Sequence, residues 1–305
     1  MTFLNTLLTY FIGVDDGNDE YARIEPLHQL PMYVYMSHPD FGFQQMLPSL
    51  FWSTIYIWII FVISTLLGIH VFYRNVPRIE NLQGAHKVTH FIGNVSITWL
   101  GYYFYWNLPK DATMEEKMVG FVDVYPLLCL QISKQLWALL IGVLLERKER
   151  RINYLHHSGV AFVSFSLMSF TIGLRYFLPF MLGIMETSSL VLAGIEAMRE
   201  YPEQGSLRYP QLYTALQIAF AILFLYIRCY LFLPQAYTFL RWSYWALLSI
   251  PPGNVSFIMK GIAWAVWSAG SFLILLQAFW GVLIVKKLIR DVFFRKSKVT
   301  LKKRI

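Results

Sequence analysis

Glu146 to Phe170 reads ERKERRINYLHHSGVAFVSFSLMSF, a dense charge run that meets two adjacent histidines at the entrance of a long apolar segment. After Ile152 no charged residue follows until Arg175, about the length a helix needs to cross a hydrocarbon core of ~30 Å at ~1.5 Å per residue. The stretch reads as a transmembrane helix with a basic collar, and it places His156 and His157 roughly one turn inside the membrane. Imidazole at that depth is costly unless it is paired or faces an aqueous or protein-lined cavity, so the pair is a functional candidate. The competing reading is that the two rings bond to neighbouring carbonyls and only pack.

Working outward, the composition sets the class. Hydrophobic residues make up 56% of the chain, aromatics 17% and charged residues 14%, which is more apolar than soluble domains. The expected fold class is an all-α membrane protein, a bundle of about seven transmembrane helices. The net charge of +8 comes from Lys and Arg clustered between apolar spans, where they set topology and face anionic headgroups, so nucleic acid is not implied as a partner. Cys129 and Cys229 both fall inside apolar spans, which supports neither a disulfide scaffold nor a cysteine-based metal site.

Residues 1–46 form an N-terminal lumenal or interfacial segment, an apolar run too short to span followed by the acidic DDGNDEYARIE. A transmembrane domain over 47–288 follows, with spans expected at 47–73, 88–107, 124–145, 152–173, 175–197, 211–233 and 259–285. Aromatic ends such as YYFYWN and RWSYW suit the headgroup boundary. Arg74, Arg78 and Lys87, then Arg147 to Arg151, then Arg199 and Arg208, and finally the basic tail 289–305 alternate with loops of lower positive charge. The positive-inside rule therefore puts the C-terminus in the cytosol. The chain ends Lys302-Lys303-Arg304-Ile305, the pattern of an endoplasmic reticulum retrieval address read by the COPI coat. The sequon Asn254-Val255-Ser256 lies in an expected lumenal loop, whereas Asn94-Val95-Ser96 lies within a span.

Polar residues inside the spans converge on one side. Because neighbouring spans run in opposite directions, His70, His86, His90, His156 and His157 all fall in the cytosolic third. His86, His90, Asn94 and Thr98 recur every four residues, making one polar stripe, and Gln131, Lys134 and Gln135 share a face of the third span. Arg175 and Glu186, and likewise Gln217 and Arg228, are eleven residues apart, which on regular helices would put each pair on one face. Lys134, Glu186 and Arg228 are expected to face a shared interior, since each would be expensive in lipid. The bland alternative is a structural ion-pair network.

Two chemistries fit such histidines. His86-Lys87-Val88-Thr89-His90 has the HxxxH spacing of membrane di-iron enzymes, but the chain has too few histidines for their full set of boxes, and no metal is expected. The other reading is acyl transfer, with an imidazole near the cytosolic face acting as base or nucleophile toward a thioester whose tail enters the bundle. Spacing alone does not choose between catalysis and lipid binding.

The paired His156-His157, the following Glu186-Thr187-Ser188-Ser189, and Arg228 with Pro234 resemble the TLC (TRAM, Lag, CLN) domain family, over about residues 50–290. Ceramide synthases of that family resemble this chain in span number and paired histidines, but carry HDxSDxxLE where this chain has Met185-Glu186-Thr187-Ser188-Ser189-Leu190. The stretch is closer to the E(I/L)S(T/S) of the TLC-domain-containing subgroup, whose members are implicated in membrane phospholipid composition, some with a suspected acyltransferase activity. The resemblance implies a multi-pass endoplasmic reticulum protein of lipid metabolism. His156, His157 and Glu186 are then the expected catalytic residues, and His86, His90, Asn94, Lys134 and Arg228 the expected substrate-binding ones. No bound cofactor is expected beyond fatty acyl-CoA as co-substrate, with membrane lipids as the other partners. A non-catalytic lipid-binding or lipid-homeostasis factor and a cargo receptor are the alternatives.

Overall fold

The computed structural model describes residues 43–67, 78–113, 117, 123–145, 151–169, 175–200, 203, 205–248 and 257–290. His70, the N-terminal segment before residue 43, the sequon at Asn254 and the dilysine tail lie outside the described residues. Seven helical rods run through the described residues, and no strand occurs among them. Five rods are regular: α1 (Phe43–Leu67), α2 (Arg78–Asn107), α3 (Tyr125–Leu145), α4 (Arg151–Ser169) and α7 (Phe257–Ile289). The fifth, α5, runs over 175–200 as a 3₁₀ turn, a π segment at Pro179–Gly183, a second 3₁₀ turn at Ile184–Glu186 and an α-helix from Thr187 to Glu200. The sixth, α6, covers 210–248 and contains a π segment at Phe224–Leu231.

Several boundaries differ from the sequence expectation. α2 begins ten residues before position 88, directly after Pro77, because the polar stretch Arg78–Lys87 contains no proline and its one glycine, Gly84, is tolerated inside the helix. His86 therefore lies two turns inside a helix rather than at its entry. α2 stops at Asn107, where Pro109 follows and the Asn107 side-chain amide closes back on the Tyr103 carbonyl at 2.9 Å. α6 continues past position 233 to Leu248, so RWSYW lies on a helix. Pro234 is accommodated there because its ring needs room at the carbonyl four residues back, and that carbonyl belongs to the wide π segment.

α1 packs on α2 and α3, α2 on α3 and α5, α3 on α4, α4 on α7, and α6 on both α5 and α7. The first span is thus a neighbour of the second but is separated from the fourth by α3. Leu127, Leu128 and Cys129 on α3 are fully buried at the centre. α2 and α5 cross backbone to backbone: a Cβ on Gly101 would stand 2.5 Å from the Gly183 Cα, and one on Gly183 would stand 2.3 Å from the Gly101 Cα. Two glycines meeting here let the irregular part of α5, with Glu186 just beyond it, lie against the polar stripe of α2.

The distribution of polarity is that of a chain built for lipid. Val88, Phe91, Val95 and Trp99 form the exposed face of α2, while His86, Asn94 and Thr98 are buried on the other. The same inversion puts Leu140 and Leu144 outside and Gln131, Lys134 and Gln135 inside on α3. By length and composition alone, Leu47–Leu67, Pro179–Arg199, Pro210–Arg241 and Lys260–Ile289 are apolar enough to cross a membrane. α2 and α4 do not reach that level because their inward faces are polar, and the apolar stretch of α3, Tyr125–Ile141, is shorter. The protein is an integral membrane bundle.

Candidate functional site

Four imidazoles form a row across α2 and α4. The rings of His86 and His90 are 6.4 Å apart, those of His90 and His157 6.0 Å, and those of His157 and His156 5.6 Å. A tryptophan closes each end: Trp137 of α3 stacks on His86 at 6.1 Å, and Trp280 of α7 meets His156 edge-on at 5.2 Å. Adjacent residues on a helix diverge by about 100°, which is why His156 reaches α7 while its neighbour turns to α2 and α3.

Hydrogen bonds distinguish the members of the row. Trp137 Nε1 donates to His86 Nδ1 at 3.0 Å, so His86 is an acceptor there and carries its proton on Nε2. Asn94 Nδ2 donates to His90 Nδ1 at 3.4 Å. His157 is reversed: it meets the side-chain oxygen of Gln135, which only accepts, so Nδ1 carries the proton and Nε2 is left as the basic nitrogen. His156 Nδ1 is buried without a hydrogen-bond partner, as are Asn94 Oδ1, Thr98 Oγ1 and Gln131 Oε1.

Beside the row lies an ion cluster at the junction of α3, α5, α6 and α7. Glu186 Oε2 is 3.9 Å from Lys134 Nζ and 3.7 Å from an Arg228 terminal nitrogen. Arg228 is satisfied chiefly by neutral acceptors: its Nε donates to the Met185 carbonyl at 3.1 Å and to Ser188 Oγ at 2.8 Å, and its terminal nitrogens donate to Ser189 Oγ at 2.8 Å and Gln277 Oε1 at 3.0 Å. Arg228 thus ties α5, α6 and α7 together. Lys134 comes from the other side, with its aliphatic stem lying beside Gly93 of α2. Lys134 and Glu186 act electrostatically on both His90 and His156, so row and cluster form one polar interior.

All the expected site residues fall in this interior, with two adjustments of role. Gln135, and not Glu186, is the hydrogen-bond partner that orients His157. Neither eleven-residue interval runs along a regular helix, because the π segment Pro179–Gly183 lies between Arg175 and Glu186, and Arg228 lies inside the π segment Phe224–Leu231. Arg175 sits at the opposite end of the bundle, buried over the Tyr125 ring at 4.5 Å and donating to the Leu167 carbonyl at 3.5 Å. It shares that end with Asp123, whose carboxyl is pushed up by burial and partly drawn back by the Tyr125 amide and Arg175. Gln217 is half-buried on α6. Gln277 and Trp280 were not anticipated. A single glutamine inside the apolar run of α7 was the one signal for them, by the same argument that singled out Glu186.

The arrangement offers one oriented imidazole base, a buried cation beside it and unpartnered polar atoms around both. Among the described residues no group of three or more His, Cys, Asp or Glu side chains is placed to hold a metal ion. A family model described as the TLC domain matches residues 84–286. No curated protein and no solved structure matches the chain.

Proposed function

The chain belongs to the TLC-domain family of membrane proteins, and from that premise we propose that it transfers an acyl group within the membrane, with His157 as the catalytic base. The observation that carries this reading is the Gln135–His157 pair. It fixes the tautomer with Nδ1 protonated, so that Nε2 is the nitrogen that would take a proton from an acceptor hydroxyl or attack an acyl carbonyl. His156, unpartnered at Nδ1 and one residue away, is the second group able to exchange a proton in the same place. Glu186 serves as a charge-balancing residue for Lys134 and Arg228, acting on the imidazoles through space. His86, His90 and Asn94 form the wall against which the acyl substrate lies.

The donor of this reaction is a fatty acyl-CoA thioester and the acceptor a membrane lipid, and the protein works in the endoplasmic reticulum membrane with its C-terminal dilysine read by the COPI coat. Support comes from the imidazoles lying toward the end of the bundle where α7 closes with Lys286, Lys287 and Arg290, the end a soluble thioester would approach. The ETSS stretch at Glu186 supports the subgroup linked to membrane phospholipid composition over the ceramide synthases.

His157→Ala, expressed in cells lacking the protein, is expected to leave the lipid profile as deletion does, and Gln135→Leu to lower acyl transfer by about 10²–10⁴-fold, the range of a positioned general base. Expression and detergent stability should be retained in both. If both variants restore the lipid profile fully, catalysis at this pair is refuted and the protein is a lipid-binding factor using the same interior.

A further inference from the structure

We propose that the interior site is charge-selective: it holds the oxyanion of a lipid, a carboxylate or a phosphate, against the ammonium of Lys134. The inference deepens the acyl-lipid reading above by naming the charge class of what enters.

Lys134 and Arg228 are buried and the Glu186 side chain is 13% exposed, and together the three carry one surplus positive charge. Arg228 has acceptors for its guanidinium on two rods, α5 and α7, besides Glu186. Lys134 has no such set. Its nearest charged partner, Glu186 Oε2, stands at 3.9 Å, beyond hydrogen-bond reach, and the side chain is 3% exposed. An ammonium with three donors and no close acceptor is expensive in a bundle interior, and one bound anion would offset both the charge and the donors.

The surroundings suit a ligand of mixed character. Asn94 Oδ1, Gln131 Oε1, Thr98 Oγ1 and His156 Nδ1 are buried without partners in the same half of the bundle. The Lys134 stem lies along α2 at Gly93, so the ammonium is positioned by packing of its stem rather than by a salt bridge at contact distance. Neutral polar ligands would satisfy the orphaned acceptors but not the lysine. An anion with a protonated or hydroxyl-bearing neighbour would satisfy both.

The test uses the full-length protein purified in a non-ionic detergent and native mass spectrometry of bound ligand. The probes are oleic acid, oleyl alcohol, lysophosphatidic acid and inorganic phosphate. Oleate and lysophosphatidate are expected to outcompete oleyl alcohol by about tenfold to a hundredfold, the worth of a charge-assisted hydrogen bond. Which of those two binds more tightly assigns the source of the oxyanion. Lys134→Met keeps the stem and removes the charge, and it should erase that preference. Glu186→Gln raises the surplus and should strengthen the preference, so the proposal stays testable if the lysine variant folds poorly. Equal binding of acid and alcohol, or a preference that survives Lys134→Met, overturns the inference. So does competition by inorganic phosphate alone as strong as by the lipids, since the anion would then come from solution. The assay involves no turnover, so failure of the acyl-transfer reading through the His157 variant would leave this result standing, and the converse also holds.

Discussion

At the scale of single residues, Arg228 is the side chain on which the most partners depend. Its guanidinium fork matches acceptors on α5 and α7 that no shorter or single-point cation could reach together: the Met185 carbonyl, Ser188, Ser189 and Gln277. Removing it leaves a carbonyl and several hydroxyl and amide groups unpaired and Glu186 with Lys134 as its remaining charged partner. Arg228→Met is therefore expected to cost about 1–3 kcal/mol, the penalty for leaving buried polar groups unsatisfied. Arg228→Lys should recover only a fraction of this, because one ammonium cannot reach the acceptors on α5 and α7 together. Melting of the detergent-solubilised variants measures both. An Arg228→Met protein that melts like the parent would show that the network packs without stabilising.

At the scale of the helical element, the crossing of α2 and α5 decides where Glu186 stands. Gly101 and Gly183 face each other so closely that a methyl on either would enter the other's backbone. Gly101→Ala and Gly183→Ala should each destabilise the protein by about 1–3 kcal/mol or more, as overpacking against an unyielding backbone does. Gly261→Ala and Gly270→Ala, where nothing lies within 4 Å of the new methyl, should be neutral or stabilising, because alanine favours the helix by roughly 1 kcal/mol. Equal melting midpoints for all four would remove the glycine contact as the element that places the site.

The same element shows what the sequence could carry. The polar stripe of α2 and the Gln131–Lys134–Gln135 face of α3 were legible from spacing alone, because both helices are regular and spacing maps onto faces. Arg175 and Gln217 were misplaced because the π segments of α5 and α6 break that mapping, and a π turn has no side-chain pattern of its own. Pro179 and Pro234 were the only visible hints. Trp137 and Trp280 were hidden for another reason: tryptophan in a membrane helix reads equally as interface anchor or interior wall, and only packing separates the two. The hydrogen bond from His157 to Gln135 joins residues 22 apart on antiparallel helices, a register that no local pattern fixes.

At the scale of the whole molecule, the two polar regions lie at opposite ends of the bundle, and sidedness decides what each can meet. α2 and α4 begin, and α3 and α7 end, one to three turns beyond the imidazole row on the same side of the bundle. The loop carrying Lys110 and Asp111, the Asp123 carboxyl and Arg175 lie at the other end. Lys286, Lys287 and Arg290 close α7 and Arg151 opens α4, and Arg147, Lys148 and Arg150 fall between α3 and α4 in the sequence. The orientation proposed above, with the imidazole end toward the cytosol, rests on applying the positive-inside rule to this charge. A cysteine placed at Lys287 is expected to react with a membrane-impermeant maleimide from the cytosolic side of sealed microsomes, and one placed at Asp111 only after the membrane is opened. The native thiols allow this, since Cys129 is buried and Cys229 is only partly accessible, and the parent chain supplies the background. The reverse pattern would put His156 and His157 on the lumenal side, out of reach of a cytosolic thioester. The acyl-CoA donor would then have to be abandoned, while the charge selectivity of Lys134, which depends only on the interior, would be unaffected.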